Sequence, residues 1–500
     1  MNATARLPRK HSTGANGAPV ADEVTGLSPE FWQTPEDSYR PHIPMETVEH
    51  RFERGKALRA RTPLEAHGEW KAASGRPDPV GILLEGNKGR QENLVPLRMS
   101  RMAASPFAFL RGAAAVMASD LSKTPVSGIQ VGIDGDAHVN NFGLYGTPQR
   151  DVVVDINDFD EATFGPWEWD LKRLVASVNV AGRENGLNRK ERRSAVLKCA
   201  GGYATNSRRL TEVGVLDTWS LYAYADIERN AAVLKEFGIR VGNKFRAVMR
   251  KTLAKAQQST GHTLLGKVAR RQTDGGWRFI DAPPVLTRVD DATRDKVTGA
   301  LVEYAETIPS ELRYMLKRYS VADVAHRVVG VGSVGLRAYL VLMFGNGEHD
   351  PLFLQVKEAS RPAHAPYLPA FKMRVAHEGR RVVGAQRLLQ ALGDPFLGYT
   401  TIDERPYFVR QMRNMKASVP IEFLTGEPFE FWAWTCGALL SRAHARTGDA
   451  AKTAGYIGKS DALTAALAEF AESYGDQTEQ DHAALVAAIK KGRVKASEDV

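Results

Sequence analysis

Hydrophobic residues recur every three or four positions over most of this chain, which is the pattern of helices that bury one face. The pattern predicts helices in five stretches, at 48–61, 106–121, most of 170–259, 429–446 and 462–491. Ser105 and Pro106 support the second of these, because serine is a favoured N-cap and proline is a favoured first helical residue. The chain is therefore expected to be mostly helical.

Short apolar runs bounded by turn residues predict a smaller number of strands. They lie at 129–133, 152–156, 338–344, 352–356 and 407–412. The segment Gly345-Asn346-Gly347 separates the third strand from the fourth and is typical of a tight hairpin turn. We expect an α+β fold in which a small antiparallel sheet occurs late in the chain.

The length of 500 residues and the change of pattern near residue 328 predict two lobes with a cleft between them. We expect five segments: a disordered leader at 1–30, a large lobe with the helical block at 31–320, a small sheet lobe at 321–415, helices that return to the large lobe at 416–490, and a mobile tail at 491–500.

Composition narrows the class of protein. The net charge of +9 invites a nucleic-acid partner, but the basic residues are dispersed among acids, so we do not expect one. No apolar run is long enough to cross a bilayer, and the first 20 residues lack the apolar core of a secretory signal, so we expect a cytoplasmic protein without a membrane partner. Cys199 and Cys436 lack the spacing of a zinc site and are expected to be buried thiols. The oligomeric state stays open.

A polar loop, Gly135 to Gly143, follows the strand at 129–133 and places Asn141 five positions after Asp136. In kinase-type phosphotransferases an aspartate orients or accepts the proton of the attacking hydroxyl, and an asparagine five residues later holds a metal ion. Asp136 is therefore the predicted base, and Asn141 is a predicted metal ligand.

A second acidic loop, Asn157 to Glu161, follows the strand at 152–156. Asp158 stands where the D-F-G sequence of kinases has its metal-binding aspartate, and Asp160 replaces the glycine. This variation resembles small-molecule kinases of the aminoglycoside phosphotransferase type. We predict that Asp158 binds metal and that Asp160 binds a second ion or stabilises the loop. Either loop alone also fits a turn that only satisfies its own backbone groups, but the pair favours catalysis.

A glycine-rich segment precedes the strand at 338–344, and Lys357 ends the following strand. Backbone amides of such a segment can close over phosphates, and the lysine can pair with them. A strand follows rather than a helix, which disfavours a Rossmann site. The predicted nucleotide-binding residues are Gly330, Gly332, Ser333, Gly335 and Lys357.

Two features of the predicted nucleotide site differ from an ordinary kinase. The glycine loop and lysine follow the catalytic loop instead of preceding it, which predicts a circularly permuted chain order. The helix that should orient Lys357 offers Gln386 and Gln390 rather than an acid, and Glu358 points to the other face of a regular strand. The partner of Lys357 is unassigned.

Three other functions fit the same residues. Reversed binding of ATP would make the protein a nucleotidyl transferase, and an inactive site would make it a non-catalytic nucleotide-binding protein. Asp136-x-His138 after an apolar strand also resembles the first metal block of metallophosphoesterases, and the segment Gly345 to Asp350 loosely resembles a later block.

The chain resembles a bacterial family known as domain of unknown function 2252, which is grouped with protein-kinase-like proteins. The resemblance spans about 48–480 and rests on several segments, namely Arg76 to Pro79, Ser105 to Gly112, Gly135 to Gly143, Asp155 to Glu161 with Trp167 to Asp170, and Val329 to Gly335 with Lys357. It implies a kinase-like bilobal fold with ATP and Mg²⁺ as cofactors, an unknown acceptor as partner, and Asp136, Asn141 and Asp158 as site residues. It also implies that Asp170 braces the catalytic loop. Arg111 is expected either to contact phosphate or to form a plain ion pair.

Overall fold

The computed structural model of this protein describes residues 44–273, 275–328, 330–368, 375–412 and 414–497. The expected leader at 1–30 lies outside these residues. The helices are α1 (Val48–Ala57), α2 (Pro79–Glu85), α3 (Val95–Ala103), α4 (Pro106–Gly112), α5 (Ala114–Leu121), α6 (Trp167–Glu184), α7 (Arg189–Arg209), α8 (Val215–Ser220), α9 (Ala231–Glu236), α10 (Asn243–Gln258), α11 (Gly261–Val268), α12 (Asp291–Thr307), α13 (Ser310–Leu316), α14 (Glu378–Leu389), α15 (Gly426–Ala445), α16 (Ala450–Ile457) and α17 (Ala462–Lys490).

The strands are short, and all of their pairings are antiparallel. They are β1 (Gln130–Ile133), β2 (Phe142–Gly146), β3 (Val152–Ile156), β4 (Thr163–Pro166), β5 (Ala223–Tyr224), β6 (Ala269–Arg271), β7 (Trp277–Phe279), β8 (Leu286–Arg288), β9 (Ser320–Arg327), β10 (Ala338–Phe344), β11 (Pro351–Glu358), β12 (Gly398–Ile402), β13 (Arg405–Gln411) and β14 (Ala417–Ser418). The largest sheet has the order β12-β13-β11-β10-β9-β8, and a four-stranded sheet has the order β14-β2-β3-β5. The α+β class is confirmed.

The large helical part packs around α6, α7, α15 and α17. Trp167 on α6 and Trp432 on α15 are fully buried in its core. Helices α7 and α15 approach so closely that a side chain at Gly437 would lie 2.0 Å from the carbonyl oxygen of Cys199. Glycine is needed there because no other residue lets the two backbones come this near. Both cysteines are buried and free, as the sequence predicts.

The six-stranded sheet is covered on both faces. Apolar residues of α12, such as Leu301 and Tyr304, pack on one face, and Leu264 and Leu265 of α11 pack on the other. The predicted start of the small lobe is residue 321. The elements that pack on this sheet include α11 and α12, which precede residue 321 and bury apolar side chains on its two faces.

Several segments differ from their predicted extent. The helix predicted at 106–121 is divided into α4 and α5 at Ala113, which has φ −110° and ψ 35°. In the segment expected to be a mobile tail, Val494 is buried, and the Ser497 amide donates to Ser100 Oγ at 2.7 Å. Residues 498–500 lie outside the described part. Among the described helices, none is long and apolar enough to span a membrane.

Candidate active site

The loop Gly135 to Gly143, which is predicted to be catalytic, begins directly after β1. A side chain of α6 holds the backbone at the start of this loop. Asp170, in the first turn of α6, accepts hydrogen bonds from the backbone amides of Asp134 at 2.6 Å and Gly135 at 2.9 Å. His444 Nε2 on α15 lies 3.1 Å from the same carboxylate. Two backbone bonds and one side-chain contact hold this buried carboxylate, so Asp170 fixes the path of the loop.

Asp136 uses its two carboxylate oxygens differently. Its Oδ1 accepts from the guanidinium of Arg173, with the Nε atom 2.6 Å away, while its Oδ2 lies 3.8 Å from His138 Nε2. Burial raises the pKa of Asp136 to about 7 in spite of Arg173, and the charges of Glu161 and Asp158 add to the rise. A carboxylate that is anchored through one oxygen and has a pKa near neutrality is suited to accept a proton through the other.

Asn141 lies at the centre of the two loops. Its side-chain nitrogen donates to Asp134 Oδ2 at 3.1 Å and to the carbonyl oxygen of Asp158 at 3.1 Å. The nitrogen is therefore committed to protein acceptors, and the Oδ1 atom is the end of the amide that can face a cation.

Asp158 and Asp160 follow β3 and meet Lys357 from β11. Lys357 forms an ion pair with Asp160, and its Nζ lies 4.0 Å from Asp158 Oδ1. These groups are 197 residues apart in sequence. Burial opposes the ionisation of Asp158, but Lys357, Arg410 and Lys416 outweigh it and hold its pKa below the usual range. The lysine whose partner the sequence left unassigned is thus paired with an acid from the loop Asn157 to Glu161.

Glu358 points away from this cluster, as the alternation along a strand requires. Its carboxylate pairs with Arg337 at 3.2 Å and Arg405 at 3.0 Å. On α14, Gln386 bonds Gln390, and Gln390 bonds the carbonyl oxygen of Ile156. The amide groups of both glutamines therefore donate to acceptors other than Lys357.

The glycine-rich segment forms turns between β9 and β10 and covers one side of the cleft. Gly330 and Gly335 have φ values of +74° and +89°, which favour glycine. Gly330, Gly332 and Ser333 line the cleft, whereas Gly335 lies outside its wall, against Arg90. The Gly335 carbonyl accepts from the Gln91 amide at 2.8 Å, so this end of the segment is fixed to the N-terminal helices.

The cleft encloses about 210 Å³ and brings together side chains from distant parts of the chain. Of the predicted residues, Asp136, His138, Asn141, Asp158, Asp160 and Arg111 line it. Lys357 is buried behind Asp160. The sequence did not indicate Arg90 or Lys416, which line the cleft, or Arg173, which holds Asp136. Arg173 left one signal, since it follows Asp170 by three positions and so lies on the same face of that helix.

The donor set of the cleft suits a magnesium ion that takes its other ligands from a phosphate. Asp158 Oδ1 and Asp160 Oδ1 are buried oxygens without a hydrogen-bond partner. Mg²⁺ is usually held by one or two carboxylates together with substrate phosphates and water. Within the described ranges, no group of three or more His, Cys, Asp or Glu side chains is arranged to hold a metal. Asn141, Asp158 and Asp160 would therefore supply only some of the ligands of a magnesium ion, and a phosphate and water would supply the others.

The second metal block considered for a metallophosphoesterase lies far from this cleft. The segment Gly345 to Asp350 is the turn between β10 and β11, where Asp350 accepts a hydrogen bond from the Tyr319 hydroxyl at 3.0 Å. The glycine-rich segment precedes the other end of β10, and a strand of seven residues spans roughly 20 Å. His138 and this turn cannot bind one metal ion.

Comparison with known proteins gives a family and nothing closer. No curated protein and no solved structure matches this chain significantly. A family described as an uncharacterized protein conserved in bacteria (DUF2252) matches residues 90–488, which contain every residue of the cleft named above. The match begins after Arg76 to Pro79, one of the segments on which the resemblance rests. The chain therefore belongs to the DUF2252 family of bacterial proteins.

Proposed function

We propose that this protein is an ATP- and Mg²⁺-dependent phosphotransferase of the kinase-like class, acting on a hydroxyl group. One observation carries the proposal: Lys357 and the glycine-rich segment meet Asp136, Asn141, Asp158 and Asp160 at one cleft, although about 200 residues separate the two sets. A surface turn whose acidic side chains only satisfy local backbone groups would need neither a buried lysine nor a glycine-rich segment beside it. The order of these parts along the chain supports a circularly permuted kinase-like fold.

Each residue has a role in the proposed transfer. Gly330 to Ser333 and Lys357 would bind the nucleotide phosphates, and Asn141, Asp158 and Asp160 would hold the metal ion. When bound, the metal supplies positive charge that neutralises the phosphate oxygens. The acceptor oxygen forms a bond to the γ-phosphorus as the bond from that phosphorus to the β–γ bridging oxygen breaks. Asp136 Oδ2 takes the hydroxyl proton, and ADP leaves.

Calorimetry with ATP and Mg²⁺ tests the nucleotide half of the proposal. We expect the wild type to bind, and Lys357→Ala to weaken binding at least about tenfold because it removes a buried charge-assisted contact. Lys267→Ala, at an exposed lysine on α11, is the matched control and should bind like the wild type. Absence of ATP binding to the wild type would refute the proposal.

Turnover with a library of hydroxyl compounds tests the chemical half. ATP consumption should depend on Asp136, so Asp136→Asn should bind ATP and lose turnover. The mass of the product separates phosphoryl transfer from nucleotidyl transfer. Equal turnover by Asp136→Asn and wild type would remove Asp136 from the mechanism.

A further inference from the structure

Arg111 lines the cleft and forms no ion pair with a carboxylate of the described residues. It lies in the last turn of α4, and its Nε atom is buried without a hydrogen-bond partner. In the part of the chain that the structure describes, no acid lies within ion-pair distance of its guanidinium. The Cζ atom of Arg111 lies 6.0 Å from the centroid of the Phe107 ring. The plain ion pair considered from the sequence is therefore not seen.

The other cations around the cleft have protein partners. Arg173 pairs with Asp136, and Lys357 pairs with Asp160. Arg90 donates to the carbonyl oxygens of Gly86 at 3.0 Å and Val334 at 2.7 Å. Arg111 is partly buried, and its buried Nε atom has no hydrogen-bond acceptor, which costs free energy, so this side chain favours a bound anion.

His138 provides a second unpartnered group in the same part of the cleft. The residue is 7% exposed, and its Nδ1 atom has no hydrogen-bond partner. Its ring meets the edge of Phe107, the ring that Arg111 also contacts, at 6.4 Å between centroids. Its ring nitrogens can share hydrogen bonds with a ligand that enters the cleft.

This pair lies next to Asp136, the proposed base. Asp136 is the carboxylate whose charge acts most strongly on Arg111, and the backbone of Arg111 also faces Gly332 of the glycine-rich segment. His138 Nε2 is 3.8 Å from Asp136 Oδ2, the oxygen proposed to take the proton. An anion bound by Arg111 would therefore be close to the acceptor hydroxyl.

We infer that Arg111 and His138 form an anion-binding subsite for the acceptor, which is a hydroxyl compound that carries a carboxylate or phosphate group. This inference rests on the proposed function, because it takes Asp136 as the base. The anion supplies the missing counter-charge of Arg111 through charge-assisted hydrogen bonds, and it brings the hydroxyl to Asp136.

Inorganic phosphate serves as the probe. Calorimetric titration of phosphate into full-length protein saturated with Mg²⁺ and a non-hydrolysable ATP analogue should show binding to the wild type. Arg111→Gln should lose at least about tenfold in affinity, and Arg111→Lys should lose less because it keeps the charge. Arg193→Gln, at an exposed arginine paired with Glu469, is the matched control and should bind phosphate like the wild type. Melting curves of all variants separate a lost site from a lost fold.

The outcomes distinguish the inference from the proposed function. Phosphate that fails to bind, or binds equally to Arg111→Gln, overturns the subsite. Phosphate that binds the free protein and is displaced by the ATP analogue belongs to the nucleotide site, and this also overturns the acceptor assignment. If the analogue does not bind while phosphate still requires Arg111, the proposed function fails and the anion-binding subsite stands.

Discussion

At the scale of residues, the cleft depends on ionisable side chains that are committed to one another before any ligand binds. Arg173 holds one oxygen of Asp136, and Lys357 holds Asp160. Spacing within a loop was enough to select Asp136 and Asn141. It could not select Arg173, because the contact joins residues 37 positions apart and depends on how α6 packs beneath the loop.

A buried lysine on α6 gives a prediction about stability. Lys172 is fully buried, its Nζ has no hydrogen-bond partner, and burial lowers its pKa from 10.5 to about 8 despite the opposing charge of Glu168. The folded protein therefore releases this proton at a lower pH than the unfolded chain does. Because the unfolded state then holds more protons, stability should rise as the pH rises from 8 towards 10.5, by up to about 3 kcal/mol.

The variant Lys172→Met keeps the packing of the side chain against Phe470 and removes the charge. It should melt at a higher temperature than the wild type at pH 7, and this advantage should shrink by pH 9.5. Thermal melting followed by circular dichroism at both values measures the difference. A variant that is less stable at pH 7, with a pH-independent difference, would show that Lys172 is stabilising in its charged form.

At the scale of elements, α6 and α15 set the geometry of the loop Gly135 to Gly143. Asp170 and Arg173 are three residues apart on α6 and so lie on one face of it, where one holds the loop backbone and the other holds Asp136. His444 brings α15 to Asp170, and the Tyr203 hydroxyl on α7 lies 2.8 Å from the other ring nitrogen of His444. Three helices are thereby connected to one loop.

Arg76 connects two further helices. It forms ion pairs with Asp120 on α5 at 2.8 Å and with Asp481 on α17 at 2.6 Å, and both carboxylates are at most 5% exposed. Arg76→Ala should destabilise the protein by about 3 kcal/mol, since it leaves two buried carboxylates without their cation. Thermal melting measures the loss.

An exposed ion pair is the control for this prediction. Arg54 pairs with Glu46 at 2.9 Å, with both side chains at least 40% exposed. Arg54→Ala should leave the melting temperature close to that of the wild type, because solvent screens the pair. Equal melting temperatures for Arg76→Ala and Arg54→Ala would show that the buried network contributes no more than the surface pair.

At the scale of the whole molecule, the segment 86–101 and the six-stranded sheet hold the glycine-rich segment between them. Arg101 donates to the carbonyl oxygen of Gly330 at 2.8 Å, and the Gln91 amide donates to that of Gly335 at 2.8 Å. Leu94 and Leu97 pack with Val334 beneath this contact. The glycine-rich segment is therefore coupled to 86–101 as well as to its own strands.

Hydrogen exchange tests this coupling. Addition of ATP and Mg²⁺ should slow amide exchange at 330–336 and at 88–101 together, because the two segments share hydrogen bonds. The β6–β7 hairpin at 269–279 is the control region and should not change. Protection confined to 330–336 would show that the glycine-rich segment moves independently of 88–101.

The sequence by itself determined what depends on neighbouring residues. It indicated the α+β class, most of the helices, the β10–β11 hairpin and the family, because periodicity, turn residues and motif spacing are local. It also selected Asp136, Asn141 and Asp158 as candidates, since their places relative to the ends of β1 and β3 can be counted along the chain.

Only the tertiary structure decided which distant groups meet. It paired Lys357, whose partner the sequence left unassigned, with Asp160, packed α11 on the six-stranded sheet, and placed no carboxylate of the described residues within ion-pair distance of Arg111. These contacts join residues that can be about 200 positions apart, and no local pattern encodes them. They follow from the burial of apolar faces, which brings distant helices and strands together and fixes the neighbours of each charged side chain.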